Sequence, residues 1–272
     1  MVKIFTMVKD EDDIVFDWVT YHGKIFGYRN LHIIDNYSSD NTYNILKQFN
    51  GIHLYRSPNY KLKGDYMTML IHAKCSPHEL AFPIDIDEFI TYYDSDSNKI
   101  SCDPDIIKRY IFSLVTTPSS HSTLYKMNYI WTNVFNSGGY ARAALDCPSG
   151  TYVDYKDVAK SFFHRKFICN KIIDHGNHMH SSHYKLSKLC LIHYHCRNLS
   201  QIKKKTFNNV SGLGYRANDR ESLEKMGPNC NGWHHVSSQL AFLNNTYKLP
   251  LQMPNSSDIS ITSVGDFLRA AL

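Results

Sequence analysis

The sequence predicts an α/β protein with a doubly wound, mostly parallel central sheet. Two observations carry that expectation. Over the first third of the chain, strand-like runs alternate with helix-like periodicity, a strand coming first each time. Two of the expected strands also end in acidic, polar loops, residues 35–41 and 85–88. A parallel sheet places both loops on one edge, where open α/β sheets bind their ligands.

The elements follow in order. Residues 2–8 are a β-rich run. Residues 9–13, Lys-Asp-Glu-Asp-Asp, form a polar loop in which Asp12 or Asp13 can cap the next helix. Ile14, Trp18, Val19, His22, Ile25 and Phe26 recur at helical spacing, so a helix is expected over 14–26, with Gly27 placed to end it. Trp18 and His22 share its apolar face and read as core. Residues 31–34, 52–55 and 80–84 are the next strands, with helices over 42–49 and 65–75 between them. Past residue 90 the pattern changes. Asp103-Pro104 is an N-cap followed by proline at the first helical position, giving a helix over 105–114. Strands are expected over 122–131, 161–168 and 189–196, while 140–160 give no assignment. Ser200 can cap a basic helix over 201–208. Short helices near 220–226 and 235–244 and a terminal helix over 264–271 complete the chain.

With 272 residues, 43% hydrophobic and 13% aromatic, the chain can bury a full core. A net charge of +5 is mild and calls for no nucleic-acid partner. No window is apolar for long enough to span a membrane. Residues 1–9 are too short and too soon charged for a signal peptide. The 7 cysteines are odd in number and form no Cys-x-x-Cys pair, so reduced thiols and a cytoplasmic location are expected.

The chemistry concentrates in Phe82-Pro83-Ile84-Asp85-Ile86-Asp87-Glu88-Phe89. An apolar strand there runs straight into acids. Burying such carboxylates together is costly unless a cation offsets them. Hard oxygen ligands suit Mg2+ or Mn2+, which commonly bridge substrate phosphates. The local reading is a metal–diphosphate site; the bland alternative is a solvated turn. Farther on, His193 and His195 alternate along a strand and share a side, whereas Cys190 faces away, which weakens a zinc reading with Cys196. Histidines 175, 178, 180 and 183 are either a solvated loop or a substrate rim. Lys203–Lys205 is a solvated helix face or a phosphate contact.

Taken in order, Lys9-x-Glu11, Trp18, Tyr21-His22, Gly27, Asp35-Asn36-x-Ser38-x-Asp40, Asp85-x-Asp87-Glu88-Phe89, Trp131, Asn136-Ser137-Gly138, Lys160-Ser161, His193-Tyr194 and Lys203-Lys204 resemble the GT-A-fold glycosyltransferases of the family 2 and family 92 (DUF23-like) type. The resemblance covers about residues 1–210. It implies a glycosyltransferase domain over 1–210, with a nucleotide-binding half at 1–92 and an acceptor half at 93–210. Residues 211–272 are then a helical extension on the same domain. The implied reaction moves a sugar from a nucleotide-sugar, UDP-sugar before GDP-sugar, to a hydroxyl of a glycan or glycopeptide, with inversion and with Mn2+ or Mg2+. Asp85, Asp87 and His193 would hold the metal. Lys9, Glu11, Asp35, Asn36, Ser38, Asp40, Asp85 and Lys160 would line the nucleotide. Asp87, Glu88 and Asp174 are the catalytic candidates; Asp146, Asp154 and Asp157 are alternatives for the base that inversion needs. Phe162-Phe163-His164 after Lys160-Ser161 departs from the family pattern on the acceptor side.

Two other readings compete. A metal-dependent nucleotidyltransferase or phosphohydrolase would also use paired acids, but the former should carry a glycine-rich loop after the first strand, and residues 9–13 hold no glycine. A non-catalytic sugar-binding module would need no metal.

Overall fold

The computed structural model describes residues 2–116, 123–132, 140–154, 159–169, 171–179, 181, 183–210, 220–228, 233–244 and 257–272. The first four strands are β1 (Val2–Val8), β2 (Leu31–Asp35), β3 (His53–Arg56) and β4 (Leu80–Pro83). Between them run α1 (Val15–Phe26), α2 (Thr42–Leu46) and α3 (Lys63–Lys74). These strands pair in parallel in the order β3-β2-β1-β4. Alternation along β1 supplies both faces: Ile4 and Val8 pack in the cluster that holds Trp18 and Val19 of α1, and Phe5 and Met7 pack with Met67 and Ile71 of α3.

The second half follows as β5 (Glu88–Asp94), β6 (Lys99–Ser101), α4 (Pro104–Val115), β7 (Leu124–Thr132), α5 (Ala143–Asp146), β8 (Ser149–Val153), β9 (Lys160–His164), β10 (Lys185–His193) and α6 (Leu199–Val210). The chain closes with α7 (Arg220–Glu224), α8 (Trp233–Leu243), β11 (Ser257–Ser260) and α9 (Thr262–Ala271). The α/β class holds, but the sheet as a whole is mixed. Apart from β7 with β10, every pairing outside the first four strands is antiparallel. The terminal stretch is not purely helical either, because β11 pairs with β8 in the same sheet.

One connection shapes the site. The sheet order runs β4-β9-β7-β10-β5, so three strands separate β4 from β5. Yet only residues 84–87 join them. Four strand spacings along a flat sheet span ~19 Å, more than the ~17 Å that five Cα steps reach, so the sheet must curl. The Asp-x-Asp segment bridges the mouth of that curl. Its backbone is pinned by Ile84 N to Phe5 O at 3.0 Å, Glu88 N to Asp85 O at 3.1 Å and Tyr194 N to Asp87 O at 2.9 Å.

Helix α1 braces β5 from behind. Trp18 Nε1 donates to Glu88 O at 2.9 Å, and Tyr21 Oη donates to Ile90 O at 2.8 Å. His22 accepts from Ile90 N at Nε2, so its other nitrogen donates to Trp18 O. The ring is neutral, with burial driving its pKa down to about 3. The expected aspartate cap of α1 is not formed. The amides of Ile14 and Val15 bond to Glu11 O instead, and Asp13 turns to Arg197. At α6, Asn198 rather than Ser200 caps, its Oδ1 accepting from Gln201 N at 2.9 Å.

The His22 geometry sets a pH dependence. An unfolded chain takes up this proton near pH 6.5, whereas the folded one resists until about 3, so stability drains away as pH falls between those values. Urea unfolding at pH 7 and pH 5 should show a loss smaller by about 2 kcal/mol in His22→Gln than in the native chain. Equal losses would mean that the ring is not held neutral.

Candidate functional site

The carboxyl edge of the parallel strands gathers four loops. After β1, Lys9 reaches across to the loop after β2 and donates from Nζ to Asn36 O at 3.1 Å and Tyr37 O at 3.2 Å. Asp10 N donates to Ser38 Oγ at 3.0 Å, Glu11 N to Thr42 Oγ1 at 2.8 Å, and Asp12 N to Asp40 Oδ2 at 3.3 Å. Asp10 and Tyr37 take positive φ, 54° and 52°, where these two loops interlock. Asp35 is fully buried; it accepts from Arg56 Nε at 3.1 Å and Ser38 N at 3.2 Å. Asn36 donates to Ser57 O at 2.6 Å, tying in the loop after β3. The Arg56 guanidinium lies over the rings of Tyr37 and Tyr43, at 4.1 and 4.2 Å. Lys204 of α6 clips Asp12 and Asp40 together at 2.6 and 2.7 Å. Burial raises the Asp40 carboxyl and Lys204 and Thr42 lower it further, leaving its pKa at about 2.

The loop after β4 carries the acids. Asp85 lies between two ammonium groups, Lys63 Nζ at 2.5 Å and Lys160 Nζ at 2.7 Å. Burial pushes its carboxyl up, but Lys160 and Lys63 overcome that and hold it well below the usual range. Its side chain keeps 30% exposure, so one side of the pair-bound carboxylate faces solvent. Glu88 is fully buried and saturated: Oε2 accepts from Asp85 N at 2.7 Å, and Oε1 accepts from Tyr129 Oη at 2.9 Å and lies 3.1 Å from Lys160 Nζ. Lys160 also donates to Gly176 O at 2.9 Å.

Asp87 sits at the centre of a second cluster. Its Oδ2 accepts from Lys205 Nζ at 2.9 Å and lies 3.5 Å from His193 Nε2 and 3.8 Å from Arg197 Nη1. Burial raises its carboxyl, and Lys205 followed by His193 brings it well below the usual range. Arg197 is locked from several sides, donating to Asp13 from Nε at 2.7 Å, to Tyr194 O from Nη1 at 2.9 Å, and to Glu11 from Nη2. Burial of Glu11 outweighs Arg197 and Lys205 and lifts its pKa to about 7.

Asp87, His193 and His195 each offer one ligand atom within 4.8 Å of the others, a spacing that fits one metal ion. His193 Nδ1 is buried without a hydrogen-bond partner, and the indole of Trp131 stands 4.7 Å from its ring. The donor set is one carboxylate and two imidazoles. Asp85, the other acid of the pair, belongs instead to the lysine cluster. Cys190 and Cys196 are buried, take part in no disulfide and lie outside the ligand group.

The structure thus brings Lys9, Glu11, Asp35, Asn36, Ser38, Asp40, Asp85, Asp87, Glu88, Lys160 and His193 to one edge. Asp174 caps its own turn, accepting from the amides of His178 at 2.9 Å and of Met179. That turn nevertheless flanks Lys160 through Gly176, and burial followed by Lys160 lowers His178 to about 4. Asp146 pairs at 3.7 Å with Arg269 of α9, and Asp154 accepts from Asn128 at 3.1 Å, both apart from the acidic clusters. Asp157, His180 and Asn136-Ser137-Gly138 lie outside the described residues. Sequence reasoning missed Lys63, Tyr129 and Arg197. Arg197 carried a usable signal: it stands four residues past His193, in the short polar loop between β10 and α6.

No protein-family model matches the sequence, and no curated protein does. Solved structures of loosely similar shape exist. A mycobacterial protein is 12% identical over 93% of this chain and 76% of its own, with a TM-score of 0.45. Glucosyl-3-phosphoglycerate synthase of Mycobacterium tuberculosis, in complex with Mg2+ and uridine diphosphate, is 11% identical over 96% of this chain and 88% of its own, with a TM-score of 0.41. In its complex with phosphoglyceric acid the match is 15% identical, and this chain spans only 57% of that one, at a TM-score of 0.37. A likeness this loose transfers no residue role.

The buried Lys160 is the joint between Asp85 and Glu88. Removing one member of a buried ion cluster costs about 3–5 kcal/mol because the others are left uncompensated. Lys160→Met should lose that much stability in urea unfolding. Adding Glu88→Gln, which removes one stranded charge and keeps the acceptor for Asp85 N, should recover roughly half of it. A double variant no more stable than the single one would contradict this pairing.

Proposed function

We propose that this protein is a metal-dependent glycosyltransferase of the GT-A type, acting on a nucleoside-diphosphate sugar. The observation that carries the reading is the convergence of Asp87, His193 and His195, within 4.8 Å of one another, at a strand edge ringed by cations. Such an edge offers a metal its ligands and a diphosphate its counter-charges in one place. The acidic pair, the His-Tyr segment and the motifs of the loops after β1 and β2 are the features in which the sequence resembles family 2 and family 92 enzymes.

Asp87, His193 and His195 would hold Mn2+ or Mg2+, which supplies Lewis-acid stabilisation to the negative charge developing on the leaving diphosphate. The remaining work falls to the chain itself. Lys63 and Lys160 hold Asp85 ionised, and its partly exposed side chain would accept from a ribose hydroxyl. The interlocked loops of Lys9–Asp13 and Asp35–Asp40 would wall the nucleoside. Arg197 fixes the end of β10 against Glu11 and Asp13, and so orients His193 and His195. Glu88 is assigned to holding Asp85 and Lys160. Asp174, on the turn beside Lys160, would be the carboxylate for the acceptor proton in an inverting transfer, with Asp146, Asp154 and Asp157 as its alternatives. UDP is the first choice of nucleotide, and a glycan or glycopeptide hydroxyl the acceptor. Residues 1–210 would carry the reaction, with 211–272 supporting it. No helix among the described residues is long and apolar enough to cross a membrane.

Isothermal titration tests this directly. UDP should bind in the presence of Mn2+ and not in EDTA. Asp87→Ala should weaken binding by more than about tenfold, since even groups that only orient metal ligands are worth 10- to 100-fold. Binding of neither UDP nor GDP under any condition would remove the reading; metal-independent binding unaffected by Asp87→Ala would favour a non-catalytic sugar-nucleotide module.

A further inference from the structure

The proposed metal ligands already share a cation. Lys205 Nζ lies 2.9 Å from Asp87 Oδ2 and 3.3 Å from His195 Nδ1, donating to both. These are groups that an incoming metal would need. A divalent ion cannot take a carboxylate oxygen and a ring nitrogen while an ammonium stays bonded to both, since like charges at contact distance repel strongly where burial limits screening.

Building on the proposed function, we propose that Lys205 is a place-holding cation: its ammonium occupies the Asp87–His195 side of the ligand cluster, and metal enters only as the lysine swings onto an arriving diphosphate. Metal and nucleotide therefore load together.

The two cations beside Asp87 differ in the way this requires. Arg197 is held by Glu11, Asp13 and the Tyr194 carbonyl and is 1% exposed. Lys205 reaches Asp87 along a four-carbon stem whose side chain is 20% exposed. Its helix need not move with it. Lys204 anchors the same turn of α6 to Asp12 and Asp40, and Thr206 Oγ1 donates to Ile202 O at 2.8 Å. Three carboxylates, Asp87, Glu11 and Asp13, already face two cations, Arg197 and Lys205. A divalent ion added alone would leave this pocket with surplus positive charge. A diphosphate arriving with it brings negative charge and gives the lysine a new partner.

The test measures Mn2+ uptake by the loss of the free-ion electron paramagnetic resonance signal, with and without UDP. It compares the native chain with Lys205→Met, with Lys205→Gln as a second variant that keeps a polar end, and with Lys203→Met as a control on the same helix. Thermal melting checks that each is folded. The native chain and Lys203→Met should bind Mn2+ at least about tenfold more tightly with UDP than without. Both Lys205 variants should bind Mn2+ without UDP at least about tenfold more tightly than the native chain does. Mn2+ binding without UDP that is equal in native and variant chains overturns the place-holding role and leaves the proposed function intact. No Mn2+ retained by any chain, with or without UDP, overturns both.

Discussion

The structure depends on carboxylates being buried where the chain crosses the mouth of a curled sheet. Asp85 and Asp87 lie in one short connection and Glu88 opens the strand after it, and all three lose most of their water. Such a segment folds only if each charge meets a partner with good geometry. The chain supplies those partners from far away in sequence: Lys63 at the start of α3, Lys160 on β9, His193 at the end of β10, and Arg197 and Lys205 beyond it. The same pairings that make the connection tolerable draw α3, β9, β10 and α6 onto one edge. Structure and site are therefore a single construction, and a change to one charge is felt by both.

Within that construction the two acids of the Asp-x-Asp pair have separate surroundings. Asp85 is a lysine-bound carboxylate with one open side, and Asp87 is a deeply buried carboxylate facing two imidazoles. Neighbouring acids that face different partners can serve different ends, the one held for polar contact and the other for coordination. The loops after β1 and β2 stand apart again. Their polar side chains are largely spent on each other, which makes them a rigid wall whose shape, rather than its spare hydrogen bonds, is what a ligand would meet.

Much of this was legible in the sequence, and the reasons are physical. The parallel half announced itself because β1 and β2 are apolar runs, each followed by a helix-like stretch, and because β4 is a fully buried run ahead of the acids. The acidic loops were legible because carboxylates after a buried strand are costly enough to need an explanation. The second half was harder. Its antiparallel strands take their partners from distant segments, and β5 hid because Phe89–Asp94 follows the acids without a break. The sheet's curl was invisible for the same reason, since it rests on pairing order and not on any local pattern. Arg197 and Lys63 were passed over because a lone cation in a loop looks solvated until its buried partner is known. The expected caps by Asp13 and Ser200 failed to the same cause: Asp13 found a guanidinium, and Asn198 reached the helix end first.

The central claim is that Asp87, His193 and His195 form one metal centre beside a diphosphate. Its most direct measurement is a crystal structure of the protein grown with Mn2+ and UDP, read at the manganese absorption edge. The account predicts an anomalous peak bonded to Asp87, His193 and His195, with the diphosphate on its open side. A peak bound elsewhere, or UDP seated away from the edge formed by Asp35, Asp85 and Asp87, would contradict it.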